Sequence, residues 1–167
     1  VQESGVLPPQ ETGLVNNSWF GKPHLEMTWW HMAHNGLWNQ PQVLENLLYW
    51  YESVSGKAKS IASRQGYKGA RWQKMTDPEG EEVPSSVGAF LIWQQPHPIY
   101  FAEQLYRLHP DTKTLEQYKS LVFMTADFMS SFVTLLSDTT VRKYKLSGVI
   151  PAQERFKPEE TFNPTYE

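Results

Sequence analysis

The chain contains no cysteine, which excludes disulfides, thiol nucleophiles and thiolate-bound zinc. That absence leaves the compartment open, because exported proteins also do without cysteine. No apolar run reaches the roughly 18 residues of a membrane span. Neither charge sign is in excess. Fifteen Lys and Arg stand against 18 Asp and Glu, for a net charge of −3. Composition therefore makes no electrostatic case for nucleic acid or an anionic membrane as partner. No signal peptide is visible and the first residue is Val1 rather than Met. The expectation is that the N-terminus was processed, or that the chain is a piece of something longer.

What is present is aromatic. Seven Trp, eight Tyr and eight Phe make up 14% of 167 residues, enough chain for one domain with a sizeable core. The run from Gly21 to Trp38, GKPHLEMTWWHMAHNGLW, sets three histidines, a glutamate and a lysine among tryptophans and methionines. A helix made for packing alone has no use for so many polar groups. A wall facing a sugar does, because a pyranose offers apolar C–H faces and a rim of hydroxyls.

Apolar spacing predicts four helices. The first covers about 25–38, with Met27, Trp30, His34 and Leu37 on one face. Asn39-Gln40-Pro41 stops it and starts a second over about 41–64, with Pro41 at the first helical position and Gly66 as the C-terminal cap. A third starts near Pro98 and runs to Leu108, and a fourth covers about 111–136 with Asp111 or Thr112 as its cap. Residues 1–20 read as an extended leading segment, and Val141–Tyr144 as a short strand. The links at 39–40 and 109–111 are short, whereas those at 65–98 and 137–163 are long. Helical hairpins with all their long loops at one end place a functional surface there. On polarity, helices 25–38 and 98–108 are expected inside the array and 41–64 and 111–136 outside.

Each candidate side chain has a plainer reading beside the functional one. His31 and His34 share a helix face, but neither an HExxH motif nor a carboxylate at ligand spacing accompanies them, so hydrogen bonding is favoured over metal. Glu26 lies in the first turn, where a carboxylate either stabilises the helix or binds substrate. Arg71-Trp72 and Trp93-Gln94 with His97 place flat rings beside fork-shaped donors and amides. They suit a sugar face and its hydroxyls, and Trp as core filler is the competing reading. Asp77, Glu79, Glu81 and Glu82 read as a solvated turn. Glu154 follows Pro151 in a non-helical segment at the long-loop end, where a carboxyl can be held as a general acid.

The set KPHLEMTWWH, GYKGARWQKMTDPEG, FLIWQQPHPIY, TADFM and IPAQE…ETFNPTYE, in that order and spacing, resembles the six-hairpin glycosidases. These are (α/α)6-barrel enzymes related to glycoside hydrolase families 65 and 95. The resemblance covers nearly the whole chain from about Leu7. Pro151-Ala152-Gln153-Glu154 is similar to the segments that carry the catalytic acid in both families, a GPDEY segment in one and an SPEN segment in the other. Phe162-Asn163-Pro164 stands where an Asn-rich stretch follows. Glu26-Met27-Thr28-Trp29-Trp30 is similar to a QMNYW segment of family 95. The asparagines preceding that segment are replaced here around Lys22 and His24, a departure from α-fucosidase chemistry.

The resemblance implies an all-α fold of helical hairpins from an (α/α)6 toroid, with residues 21–167 forming a partial catalytic domain. Six hairpins at this period need about 400 residues, so only about the first half of a barrel is present, and the remainder or a partner chain is expected. The implied activity is inverting hydrolysis of an oligo- or polysaccharide, with phosphorolysis as the close variant. Glu154 is the implied general acid and Asn163 stands in the implied Asn-rich stretch; together with the polar–aromatic loops read above, the candidate substrate-binding residues are Glu26, Trp30, His31, Arg71, Trp72, Trp93, Gln94, His97 and Asn163. No metal or cofactor is implied, the partner is a carbohydrate, and a periplasmic or secreted bacterial setting is favoured over the cytoplasm. A non-catalytic carbohydrate-binding or scaffold fragment is the alternative. A helical protein-interaction module leaves the polar–aromatic loops without a purpose.

Overall fold

The computed structural model describes residues 23–84, 91–135 and 144–145. Glu154, Asn163 and the leading 1–20 segment lie outside the described residues. Within them the fold is helical. A 3-10 turn, Leu25–Met27, leads into α1 (Thr28–Leu37); α2 (Pro41–Ser53) and α3 (Ser55–Arg64) follow, and then α4 (His97–Leu108) and α5 (Thr112–Phe132). Two residue pairs, β1 (Thr134–Leu135) and β2 (Tyr144–Lys145), are joined antiparallel.

The helix ends follow local chemistry. Pro41 begins α2 where its missing N–H costs nothing. Asn39 takes a positive φ of 54° in the tight link before it, a conformation asparagine tolerates. Asp111 caps α5 by accepting the Thr114 N–H at 2.7 Å, and that hydrogen bond draws its carboxyl below the usual range. At the end of α3, Gly66 N–H bonds Ser63 C=O and Tyr67 N–H bonds Ala62 C=O. This is a Schellman cap, with Gly66 supplying the left-handed residue at φ 84°.

Two helices are shorter than their periodicity suggests. The helix expected over 41–64 breaks at Val54 into α2 and α3. Ser53, Val54, Ser55 and Gly56 form a run of poor helix formers, and the Ser53 hydroxyl bonds back to Trp50 C=O at 2.7 Å. The Asp77–Glu81 turn clamps this joint: Trp50 Nε1 donates to Pro78 C=O at 2.9 Å and Lys57 pairs with Glu81. A Cβ on Gly80 would lie 2.6 Å from Val54 Cβ. The helix expected over 111–136 stops at Phe132, because Val133 turns extended (φ −83°, ψ 144°) into β1. Of the strand expected at Val141–Tyr144, only Tyr144 is among the described residues, and it lies in β2.

Four contacts climb α1 and α4 together. His97 pairs with Leu25, Tyr100 with Trp29, and Gln104 with Ala33 and Gly36. α1 and α4 are therefore parallel neighbours. α4 also packs on α2 and α5. The core is Leu44, Leu47, Leu48, Trp50 and Tyr51 of α2 against Phe101 and Leu105 of α4 and Tyr118 and Leu121 of α5. α2 thus supplies more buried bulk than α1, which exposes Trp30 and Leu37. No helix among the described residues is long and apolar enough to cross a membrane.

Candidate functional site

Three segments meet at the N-terminal ends of α1 and α4: residues 24–28, 70–76 and 91–97. All seven residues from Ala70 to Thr76 are buried although they form a connection, and Arg71, Gln73, Lys74 and Thr76 are polar. Buried backbone without regular structure needs other hydrogen-bond partners, and side-chain amides supply them here. The Gln95 amide accepts from Trp72 N–H at 2.9 Å and donates to Ala70 C=O at 2.6 Å, standing in for a neighbouring strand. Gln94 Nε2 donates to Trp72 C=O at 3.1 Å and Leu91 C=O at 2.8 Å. Leu25 N–H bonds Lys74 C=O at 2.8 Å, and Ala70 N–H bonds Met124 C=O at 2.8 Å.

Ten of the buried polar residues belong to these three segments: His24, Glu26, Thr28, Arg71, Gln73, Lys74, Thr76, Gln94, Gln95 and His97. So many desolvated polar groups form a layer, not an isolated defect. At its centre the Glu26 carboxylate meets His24 Nε2 and, at 3.2 Å, Lys74 Nζ. Arg71 donates to Leu91 C=O at 2.7 Å and lies 5.2 Å from the Phe128 ring centroid. Burial lowers its guanidinium to about 10, against smaller opposing effects of Glu82 and Tyr67, and leaves it charged at neutral pH.

His97 is neutral. Burial pushes its imidazole down to about 4, only partly offset by the hydrogen bond to Leu25 C=O. That carbonyl can only accept, so Nδ1 carries the proton and Nε2 is the acceptor nitrogen. The Trp93 ring stands edge-on to His97 at 5.4 Å.

The layer is not fully satisfied. Among the described residues, both amide atoms of Gln73, Gln94 Oε1, Trp93 Nε1 and His31 Nε2 are buried without a hydrogen-bond partner. Such atoms normally find partners, and each exception calls for a reason. Gln73 and Gln94 are buried residues, whereas His31 and Trp93 are partly exposed although the unpaired nitrogen of each is itself buried.

The expected site residues thus divide. Glu26, Arg71, Gln94 and His97 are gathered in the buried layer, Trp93 stands against it beside His97, and His31 and Trp93 are partly exposed residues whose ring nitrogens are buried. Trp72, expected to offer a stacking face, is 2% exposed. Its Nε1 bonds Thr125 Oγ1 at 3.0 Å and its ring meets Tyr51 edge-on, so it is a core ring that ties the layer to α2 and α5. Trp30 points outward, 62% exposed, edge-on to Trp29. His34 stacks edge-on with Trp38 at 4.5 Å. Sequence reasoning missed Gln73, Lys74 and Gln95. Their signal was the unbroken run of polar and aromatic residues in ARWQKMT and WQQPH, which no loop needs for solvation.

Among the described residues no three His, Asp or Glu side chains gather as they would around a metal ion. No protein-family model matches this chain, and no curated protein matches it.

Proposed function

We propose that this chain forms part of a six-hairpin glycoside hydrolase that cleaves an oligo- or polysaccharide by inverting acid/base chemistry. The observation that carries the reading is the buried polar layer, in which, among the described residues, the Gln73 and Gln94 amides hold buried atoms without a hydrogen-bond partner, as do the Trp93 indole beside His97 and the His31 imidazole on α1. Those atoms are neutral donors and acceptors in mixed order, a set that complements hydroxyl groups, which both donate and accept. A lone anion or cation would ask for one kind only. Neutral His97 stands edge-on against the Trp93 ring and holds it, as binding groups need to be held.

In this reading His31 and Trp93 touch the sugar. Glu26, Arg71, Gln94 and His97 position them, and Trp30 and Asn163 extend the binding surface. Glu154 donates the proton to the leaving oxygen, and an inverting partner carboxylate stands roughly 6.5–9.5 Å from it, leaving room for water.

The test is turnover of Glu154→Gln on a neutral oligosaccharide that the unaltered protein cleaves, with binding measured in parallel. Loss of the general acid lowers turnover by about 10²–10⁴-fold while binding persists. Unchanged turnover removes Glu154 from that role. Saturable binding without turnover in the unaltered protein favours a non-catalytic carbohydrate-binding domain.

A further inference from the structure

The parallel packing of α1 and α4 leaves a second concave surface, away from the polar layer and toward the C-terminal ends of both helices. This groove encloses about 410 Å³. Its α4 wall presents Tyr100, Glu103, Gln104 and Arg107, and Leu37 and Leu108 complete its far end. Gly36 lets the helices approach this closely: a Cβ there would lie 2.5 Å from Gln104 Oε1.

The polar groups of the wall are held in place. Gln104 Nε2 donates to Ala33 C=O of α1 at 3.2 Å and to the Tyr100 hydroxyl at 2.7 Å. Since that hydroxyl accepts from Gln104, its own hydrogen remains for donation. Arg107 Nε and Nη2 both donate to Glu103 Oε1, at 3.0 and 2.6 Å. The pair cancels in charge and leaves the second carboxylate oxygen and the other guanidinium nitrogen for neighbours. Behind Tyr100 stands Trp29, with ring centroids 5.7 Å apart, and Trp30 lies edge-on to Trp29 at 5.0 Å.

We propose that this groove is a second saccharide-binding surface that holds one neutral pyranose unit of a longer chain against Tyr100. Gln104 acts as the positioning residue, and Glu103 and Arg107 meet a vicinal diol. The inference rests on the carbohydrate reading for its ligand class, but not on catalysis. An anionic or cationic ligand does not suit a wall whose charges cancel. An amphipathic helix would want a continuous apolar wall, and this one alternates ring, carboxylate, amide and guanidinium along α4.

Calorimetric titration of the full chain with cellotetraose, maltotetraose and mannotetraose tests it, using Tyr100→Ala, Tyr100→Phe and, as a control on α5, Phe123→Ala. At least one tetrasaccharide is expected to bind. Tyr100→Ala weakens it about tenfold, Tyr100→Phe less because the ring remains, and Phe123→Ala leaves it unchanged. Wild-type affinity for every probe in Tyr100→Ala, or binding of no probe at all, overturns the groove. Tyr100-dependent binding in a protein without turnover supports the groove and removes only the enzyme. Turnover lost in Glu154→Gln, together with unchanged binding in Tyr100→Ala, overturns the groove and keeps the enzyme.

Discussion

The two sides of α4 are built for different purposes. At its N-terminal end His97 enters a layer of buried charges and amides, in which, among the described residues, the Gln73 and Gln94 amides hold atoms without a hydrogen-bond partner. On its α5 side Ile99, Ala102 and Tyr106 face Leu115, Val122 and Phe123 across an open apolar groove of about 380 Å³. Exposed apolar side chains are ordinary on a protein surface. Buried polar groups are costly unless satisfied, so the same helix carries a cheap surface on one side and an expensive one on the other. Fold stability alone would have filled the polar layer with leucine.

Breaking the expensive side should show the largest effect. Glu26→Ala leaves His24 and Lys74 buried without their shared carboxylate and should lower stability by about 3–5 kcal/mol in denaturant unfolding. A protein as stable as the parent would mean that the cluster is not what holds these segments together.

The second effect is pH-dependent. The folded value of His97, about 4, lies below its free value of 6.5, so the unfolded chain takes up the proton first as pH falls. The stability this group contributes is complete above about pH 6.5 and drains away toward about pH 4, a loss on the order of 3 kcal/mol. His97→Gln keeps a donor for Leu25 C=O and should flatten that part of the profile. Superimposable profiles would contradict the buried, neutral imidazole.

Where the layer leans on α5, Gly69 is pinned at φ 68°, and a Cβ there would lie 2.1 Å from Met124 C=O. Gly69→Ala should cost more than about 2 kcal/mol, through strain and the displaced Ala70–Met124 hydrogen bond. Phe123→Ser, on the apolar side and 62% exposed, should change stability by no more than about 0.5 kcal/mol in denaturant unfolding. A larger loss would mean that the apolar groove supports the fold after all.

Much of the helical frame was legible from periodicity and caps. Pro41, Gly66 and Asp111 act where their chemistry places them. The break at Val54 was written in Ser53-Val54-Ser55-Gly56, but apolar spacing carried straight through it, and only the clamp from the distant Asp77–Glu81 turn decides the outcome. The gathering of Glu26, Arg71, Gln94 and His97 was legible as a cluster of chemistry-bearing loops. Which of them face outward was not. Trp72 and Trp93 look alike in sequence, yet one fills the core against Tyr51 and the other stays partly exposed beside His97. That difference is set by the partners each ring meets across the chain, Thr125 lying 53 residues from Trp72.

If the polar layer is kept for binding rather than for stability, Gln73 is the residue at which the two should part. Among the described residues both its amide atoms are buried and unpaired, so Gln73→Leu removes a desolvation cost with a side chain of similar size. Thermal unfolding and calorimetric titration with a neutral oligosaccharide that the parent binds should be run on the same preparations. The expected variant is more stable by about 1–2 kcal/mol and binds at least about tenfold more weakly. Greater stability with undiminished affinity would contradict a binding role, and would make the layer an imperfection of packing instead of a site.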